Sequence, residues 1–153
     1  MIFDFLKNLI GDSKTESETP LWSKDELDDF KSRLLEEKAI TINEIEYLEL
    51  RVKDIEQYAI DEKTENFNSD ANTFESERIS SITELERVRN YLVSLDSSLK
   101  RLDDGTCGIC QKCQCKINKE RLLAVPTTTL SASWKLQGKC PENGIDTLIT
   151  RKM

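Results

Sequence analysis

The chain has 153 residues, 37% of them hydrophobic and 33% charged, which bounds it to one domain, or a domain with an extension, and disfavours a single large core. Five Gly and three Pro, with 7% aromatic residues, argue against a β-sandwich or barrel, which needs frequent turns, and leave long helices as the natural reading. There is no histidine, so a His general base, a Ser-His-Asp triad and a Cys/His zinc finger are excluded; no nucleophile–base pair is recognisable, and no enzymatic activity is expected.

The net charge of −7 is unevenly spread. Residues 1–104 carry 14 Lys and Arg against 26 Asp and Glu, whereas residues 105–153 carry 8 against 3. An acidic long segment is therefore joined to a basic short one. A duplex-DNA reader carries an excess of Lys and Arg on its extended helices, so sequence-specific DNA binding by the long segment is disfavoured.

Residues 1–22 read as a short amphipathic helix, with Ile2, Phe5, Leu6, Leu9 and Ile10 on one face, followed by a polar linker from Gly11 to Pro20. Docking on the rest of the protein is preferred to membrane anchoring, because an anchor would carry Lys and Arg on its polar face. No secretory signal and no stretch of roughly 20 apolar residues is found, and a cytoplasmic protein is expected.

Ser23-Lys24-Asp25-Glu26 is a capping box, the signature of a helix start. Apolar residues follow at Leu27, Phe30 and Leu34 and then at Ile45, Leu48, Val52, Ile55 and Ala59, in the three- and four-residue spacings of a heptad seam. A helix over 24–62 is predicted. Residues 61–73 lose the seam and collect Asn, Asp and Ser, which favour caps and turns. A second helix over 72–102 presents Leu85, Val88, Leu92, Leu95, Leu99 and Leu102. The two stripes bury each other only side by side, and the short connection makes them antiparallel, with Leu85 to Leu99 expected to face Ile45 to Ile55. Residues 23–104 thus form a coiled-coil hairpin with its tip at 61–73, and residues 105–153 a small basic module and tail.

The module holds Cys107, Cys110, Cys113 and Cys115, with Cys140 beyond. Such crowding suits metal chemistry better than a disulfide framework. Cys110-x-x-Cys113 has knuckle spacing, but a four-cysteine zinc site calls for a second pair some 15 to 20 residues later, where the chain has Ser131 and Trp134. Three readings stay open: zinc held by Cys110 and Cys113 with two of Cys107, Cys115 and Cys140; an iron–sulfur arrangement of Cys107, Cys110, Cys113 and Cys140; and a metal-free module packed on Leu122, Leu123, Val125, Leu130 and Trp134. The incomplete set of paired ligands favours the metal-free module.

Leu102-Asp103-Asp104-Gly105-Thr106-Cys107-Gly108-Ile109-Cys110, followed by Ile117-Asn118-Lys119-Glu120-Arg121-Leu122-Leu123-Ala124-Val125-Pro126, resembles the C-terminal finger of the DksA/TraR family, and the capped hairpin and the total length agree with it. The Arg-Leu-x-Ala-x-Pro run after a CxxC is far more specific than the CxxC alone. The resemblance implies a mostly α fold, an antiparallel coiled-coil hairpin with a degenerate zinc-ribbon-like finger. It also implies a bacterial transcription regulator, acting as a monomer, whose hairpin enters the secondary channel of RNA polymerase and brings an acidic tip near the active site to modulate initiation. Counting back from Cys110 by the family's helix length puts the tip aspartate at Asp70, followed by Ala71 and by Asn72, where the family usually has alanine. Arg121 and Lys135 match basic positions for partner or nucleotide. The family's other arginine is Val125 here and its nucleotide-binding helix lysine falls at Ser94, departures that count against guanosine tetraphosphate binding. Some branches of the family lack the zinc cysteines and keep the fold.

Two further readings come from the residues themselves: a coiled-coil adaptor, binding through the hairpin flanks without dependence on Asp70, and a redox or metal sensor built on the cysteines.

Overall fold

The computed structural model describes residues 22–65 and 71–146. Helix α1 spans Lys24–Glu65, α2 spans Ala71–Asp103, α3 spans Lys119–Ala124 and α4 spans Ala132–Gln137. Among the described residues there is no strand beyond two isolated bridges, Ile109 with Lys116 and Lys116 with Ile145. The expected helix at 1–10 and its linker lie outside the described residues.

The capping box forms as read: the Ser23 amide donates to Glu26 Oε2 at 3.0 Å and the Glu26 amide to Ser23 Oγ at 3.3 Å, satisfying two of the free amides of a helix start. With neither Gly nor Pro inside it, α1 continues for 42 residues, about 63 Å at 1.5 Å per residue. It passes the predicted end at residue 62, and α2 begins one residue before its predicted start. Asp103-Asp104-Gly105 ends α2: Gly105 takes φ +75°, its amide donates to the Leu102 carbonyl, and the Thr106 amide donates to the Arg101 carbonyl, the paired bonds of a glycine-terminated helix.

α1 and α2 pack antiparallel as a hairpin. Near the outer end Tyr58 stacks on Phe74 with ring centroids 5.1 Å apart. Leu48 packs with Leu85 and Val88, and Ile45 lies alongside. At the inner end Phe30 and Leu34 meet Leu95, with Leu27, Tyr91, Leu99 and Leu102 around them. Leu95 and Leu99 therefore face Phe30 and Leu34 instead of the predicted Ile45–Ile55 stripe, and Leu92 is only half-buried. Between the two clusters the seam is polar. Thr41 is buried, its hydroxyl donating to the Glu37 carbonyl at 2.7 Å, and the Tyr91 hydroxyl donates to Glu37 Oε1 at 2.5 Å. Ion pairs cross the flanks, among them Lys38–Asp96 at 2.6 Å and Arg89–Glu49 at 2.6 Å.

The C-terminal module shares the inner cluster: Cys110, Cys115, Ile117 and Leu122 are buried in it with Trp22, Phe30 and Leu34, and Leu130 and Trp134 pack against it. Leu123 and Val125, expected to hold the module, are instead 36% and 37% exposed, because the single buried side of the short α3 is taken by Arg121 and Leu122. The joint is clamped by Lys119, which pairs with Glu26 and lies over the Trp22 ring at 5.1 Å. No helix among the described residues is long and apolar enough to cross a membrane.

Candidate functional site

The cysteine loop is a tight reversal. The Gln114 amide donates to the Cys110 carbonyl at 2.8 Å and the Cys110 amide to the Cys115 carbonyl at 2.9 Å. Gln114 takes φ +56°, a left-handed conformation uncommon outside glycine. The turn folds Cys113 and Cys115 back over Cys110: the three sulfurs lie within 4.8 Å of one another, and Cys113 Sγ is 3.1 Å from Cys115 Sγ. Cys107 stays out of this group and packs against the apolar core.

The chain after α4 returns to the same loop. Gly138, at φ +65°, caps α4 with its amide on the Trp134 carbonyl. Beyond it the Lys116 amide donates to the Gly144 carbonyl and the Asp146 amide to the Lys116 carbonyl, both at 2.9 Å. Asp146, only 2% exposed, accepts from the Ala132 amide at 2.5 Å and the Ser133 hydroxyl at 2.6 Å, so one carboxylate ties the returning segment to the start of α4. This path brings the exposed Cys140 beside Cys113, with its sulfur outside the group of three. Ser131, at the position of the missing knuckle, is buried; its Oγ accepts from the Trp134 amide at 3.2 Å and lies 3.9 Å from Cys113 Sγ.

The crowding separates the thiols in acidity. Burial pushes Cys113 up, but hydrogen bonds from Cys140, from the Cys115 amide and from the thiols of Cys115 and Cys110 outweigh it and bring it down to about 6. Burial first, and then the hydrogen bond to Cys113, push Cys115 up to about 12; the hydrogen bond to Cys113, then burial, raise Cys140 to about 11. The three crowded sulfurs are a set of soft donors able to hold a metal ion.

The remaining sequence candidates are dispersed. Asp70 lies outside the described residues, and Ala71 and Asn72 open the first turn of α2. Arg121 is 5% exposed, its Nε donating to the Leu130 carbonyl at 3.1 Å; it spends this contact on the fold of the module. Lys135 is exposed on α4. Ser94 is half-buried on α2 and donates to the Asn90 carbonyl at 3.0 Å, and Val125 caps α3. The sequence reading left open which of Cys107, Cys115 and Cys140 would join Cys110 and Cys113; the structure brings Cys115 into the group, and Gly138 and Gly144, two turn residues flanking Cys140, bring the chain carrying Cys140 back beside it.

No protein-family model matches the chain, and no curated protein does so either. Among solved structures, transcription factor DksA2 from Pseudomonas aeruginosa matches with a TM-score of 0.65 and 28% sequence identity, covering 74% of this chain and 82% of that one. The resemblance to the DksA/TraR family carried by the finger residues thus extends to the architecture: the chain has the DksA-like fold, a long helical hairpin with a cysteine-bearing module at its base.

Proposed function

We propose that the chain is a DksA-like transcription regulator that binds bacterial RNA polymerase through the secondary channel and modulates initiation with the hairpin tip. The observation that carries this reading is the likeness, over 74% of the chain, to a solved transcription factor. The charge distribution supports it, since a mostly negative hairpin is steered toward a positively lined protein channel and away from DNA phosphates. In this reading residues 23–104 are the inserted element and residues 105–153 the module that docks at the channel entrance. Residues 1–22 are an appendage, and the protein works as a cytoplasmic monomer beside its polymerase. Asp70 supplies the tip carboxylate, with Ala71 and Asn72 beside it, and of the two basic candidates, Arg121 and Lys135, it is Lys135 that lies on the module surface. Arg121, turned inward, and the departures at Val125 and Ser94 argue for action without guanosine tetraphosphate at the family's joint site.

The test compares two lesions in a purified transcription system with the cognate polymerase. Asp70→Asn should leave folding and polymerase affinity nearly unchanged while abolishing most of the effect on initiation. Leu95→Ala should weaken binding by destabilising the hairpin, at about 2 to 5 kcal/mol for a buried leucine. An Asp70→Asn protein that regulates as well as the parent removes the tip mechanism. A coiled-coil adaptor is the second reading, favoured by Ile40, Tyr47 and Leu50, which are at least 60% exposed on α1; it expects Tyr47→Ser to abolish partner capture and Asp70→Asn to be silent.

A further inference from the structure

The second pair of cysteines that would complete a four-ligand finger is absent, and Ser131 and Trp134 stand in its place. We propose that the chain has rebuilt the site with Cys110, Cys113, Cys115 and Cys140 as four thiolate ligands of one zinc ion, Cys115 and Cys140 taking the places of the missing pair.

The donor set is right in number and type, since structural zinc is held by four ligands and thiolate sulfur is among its preferred donors. Zinc–sulfur bonds of about 2.3 Å place tetrahedral sulfurs about 3.8 Å apart. Three of the four sulfurs already lie within 4.8 Å of one another, two of them at 3.1 Å, so closing on an ion asks for small rotations of the side chains and not for a new loop. Cys140 lies outside that group of three but beside Cys113; Gly138 turns the chain off α4 and the Lys116–Gly144 and Lys116–Asp146 backbone bonds hold the returning segment against the loop, so that rotation of this exposed side chain would bring its sulfur to the fourth place. Ser131 is too hard a donor to replace a thiolate, but its hydroxyl, 3.9 Å from Cys113 Sγ, is placed to orient the sulfurs from outside, as partners behind metal ligands do. Cys107 stands outside the group of three and, unlike Cys140, is not among the thiols that act on Cys113, which leaves it out of the set and disfavours a cluster that needs Cys107, Cys110 and Cys113 together.

Each thiol that coordinates releases its proton to solvent as the zinc–sulfur bond forms, with no change in the oxidation state of metal or sulfur. The resulting centre carries net negative charge, and Lys112, Lys116 and Lys139 flank the ligands in the chain, which fits the basic composition of this segment. Binding here would stabilise the module whether or not the chain acts on polymerase.

The full-length chain, reduced and stripped of metal, is titrated with cobalt(II) under anaerobic conditions and then with zinc. The parent and Cys107→Ser should each take up one cobalt with the intense visible bands of a tetrahedral thiolate site, lost on addition of one equivalent of zinc. Cys115→Ser and Cys140→Ser should bind more than about tenfold more weakly. Cys140 is exposed, so its serine variant keeps the helical circular-dichroism spectrum and tests ligation apart from folding, and Cys140→His should restore binding with shifted bands. A parent that binds no cobalt, a Cys140→Ser chain that titrates like the parent, or a Cys107→Ser chain that loses the site would each overturn the proposal.

Discussion

Asp146 shows how much one side chain can organise in so small a module. It is buried, yet both carboxylate oxygens accept hydrogen bonds, one from a backbone amide at the start of α4 and one from Ser133, so the desolvation of the charge is offset by donors that would otherwise lack partners. Asp146→Ala leaves those donors buried and unsatisfied, and we expect a loss of about 1 to 3 kcal/mol per orphaned group, read as a drop in the urea midpoint of the module with the hairpin's helical signal retained. Arg121 and Gln114 make the same point from opposite directions. A guanidinium that reads as a surface contact is a clamp on the Leu130 carbonyl, and an unremarkable glutamine takes the left-handed conformation on which the cysteine turn depends.

At the scale of the helices, the Glu37–Tyr91 hydrogen bond joins α1 to α2 between two apolar clusters. Burial, then the hydrogen bond to Glu37 and its charge, raise the Tyr91 phenol from 10.0 to about 12. Because the folded value lies above the unfolded one, the contribution is fully present below pH 10 and is lost as the pH rises through 12. Tyr91→Phe should cost about 1 kcal/mol at neutral pH and reduce the alkaline loss of stability in thermal melts between those limits; a variant that melts like the parent throughout would show the bond to be idle. The long helices were legible beforehand because capping chemistry and apolar spacing are local, and Ser23, Glu26 and the leucines of α2 announce them directly. Register was less so: Thr41 and Ser81 are buried seam residues whose polarity hides them from a count of apolar positions, and skipping them shifts the expected partners of Leu95 and Leu99. The cysteine site was half legible, since Cys110 and Cys113 are paired in sequence, whereas the approach of Cys140 depends on backbone bonds between residues 116 and 144–146 that no local spacing encodes.

Over the whole molecule the acidic hairpin and the basic module make a polar object, and steering by such a field weakens as salt screens it. Under the proposed function, association with polymerase should slow as ionic strength rises from 0.05 to 0.5 M (on the order of tenfold in on-rate), with dissociation much less affected; stopped-flow measurement separates the two rates, and an unchanged on-rate would deny the charge pattern a role in encounter. The polar stretch of seam at Glu37, Thr41 and Tyr91 has a mechanical consequence. A single unbroken apolar seam would open all at once. Here the inner cluster is continuous with the module, while the outer one rests on Ile45, Leu48, Leu85 and Val88, so the rod is graded, stiff at its root and yielding toward its far half. Amide hydrogen exchange should therefore divide within each helix, near Thr41 on α1 and near Tyr91 on α2, with the outer amides exchanging through a shallower opening than those near Leu34 and Leu95. A hairpin hinged in this way can bend to follow a curved passage while its base stays seated.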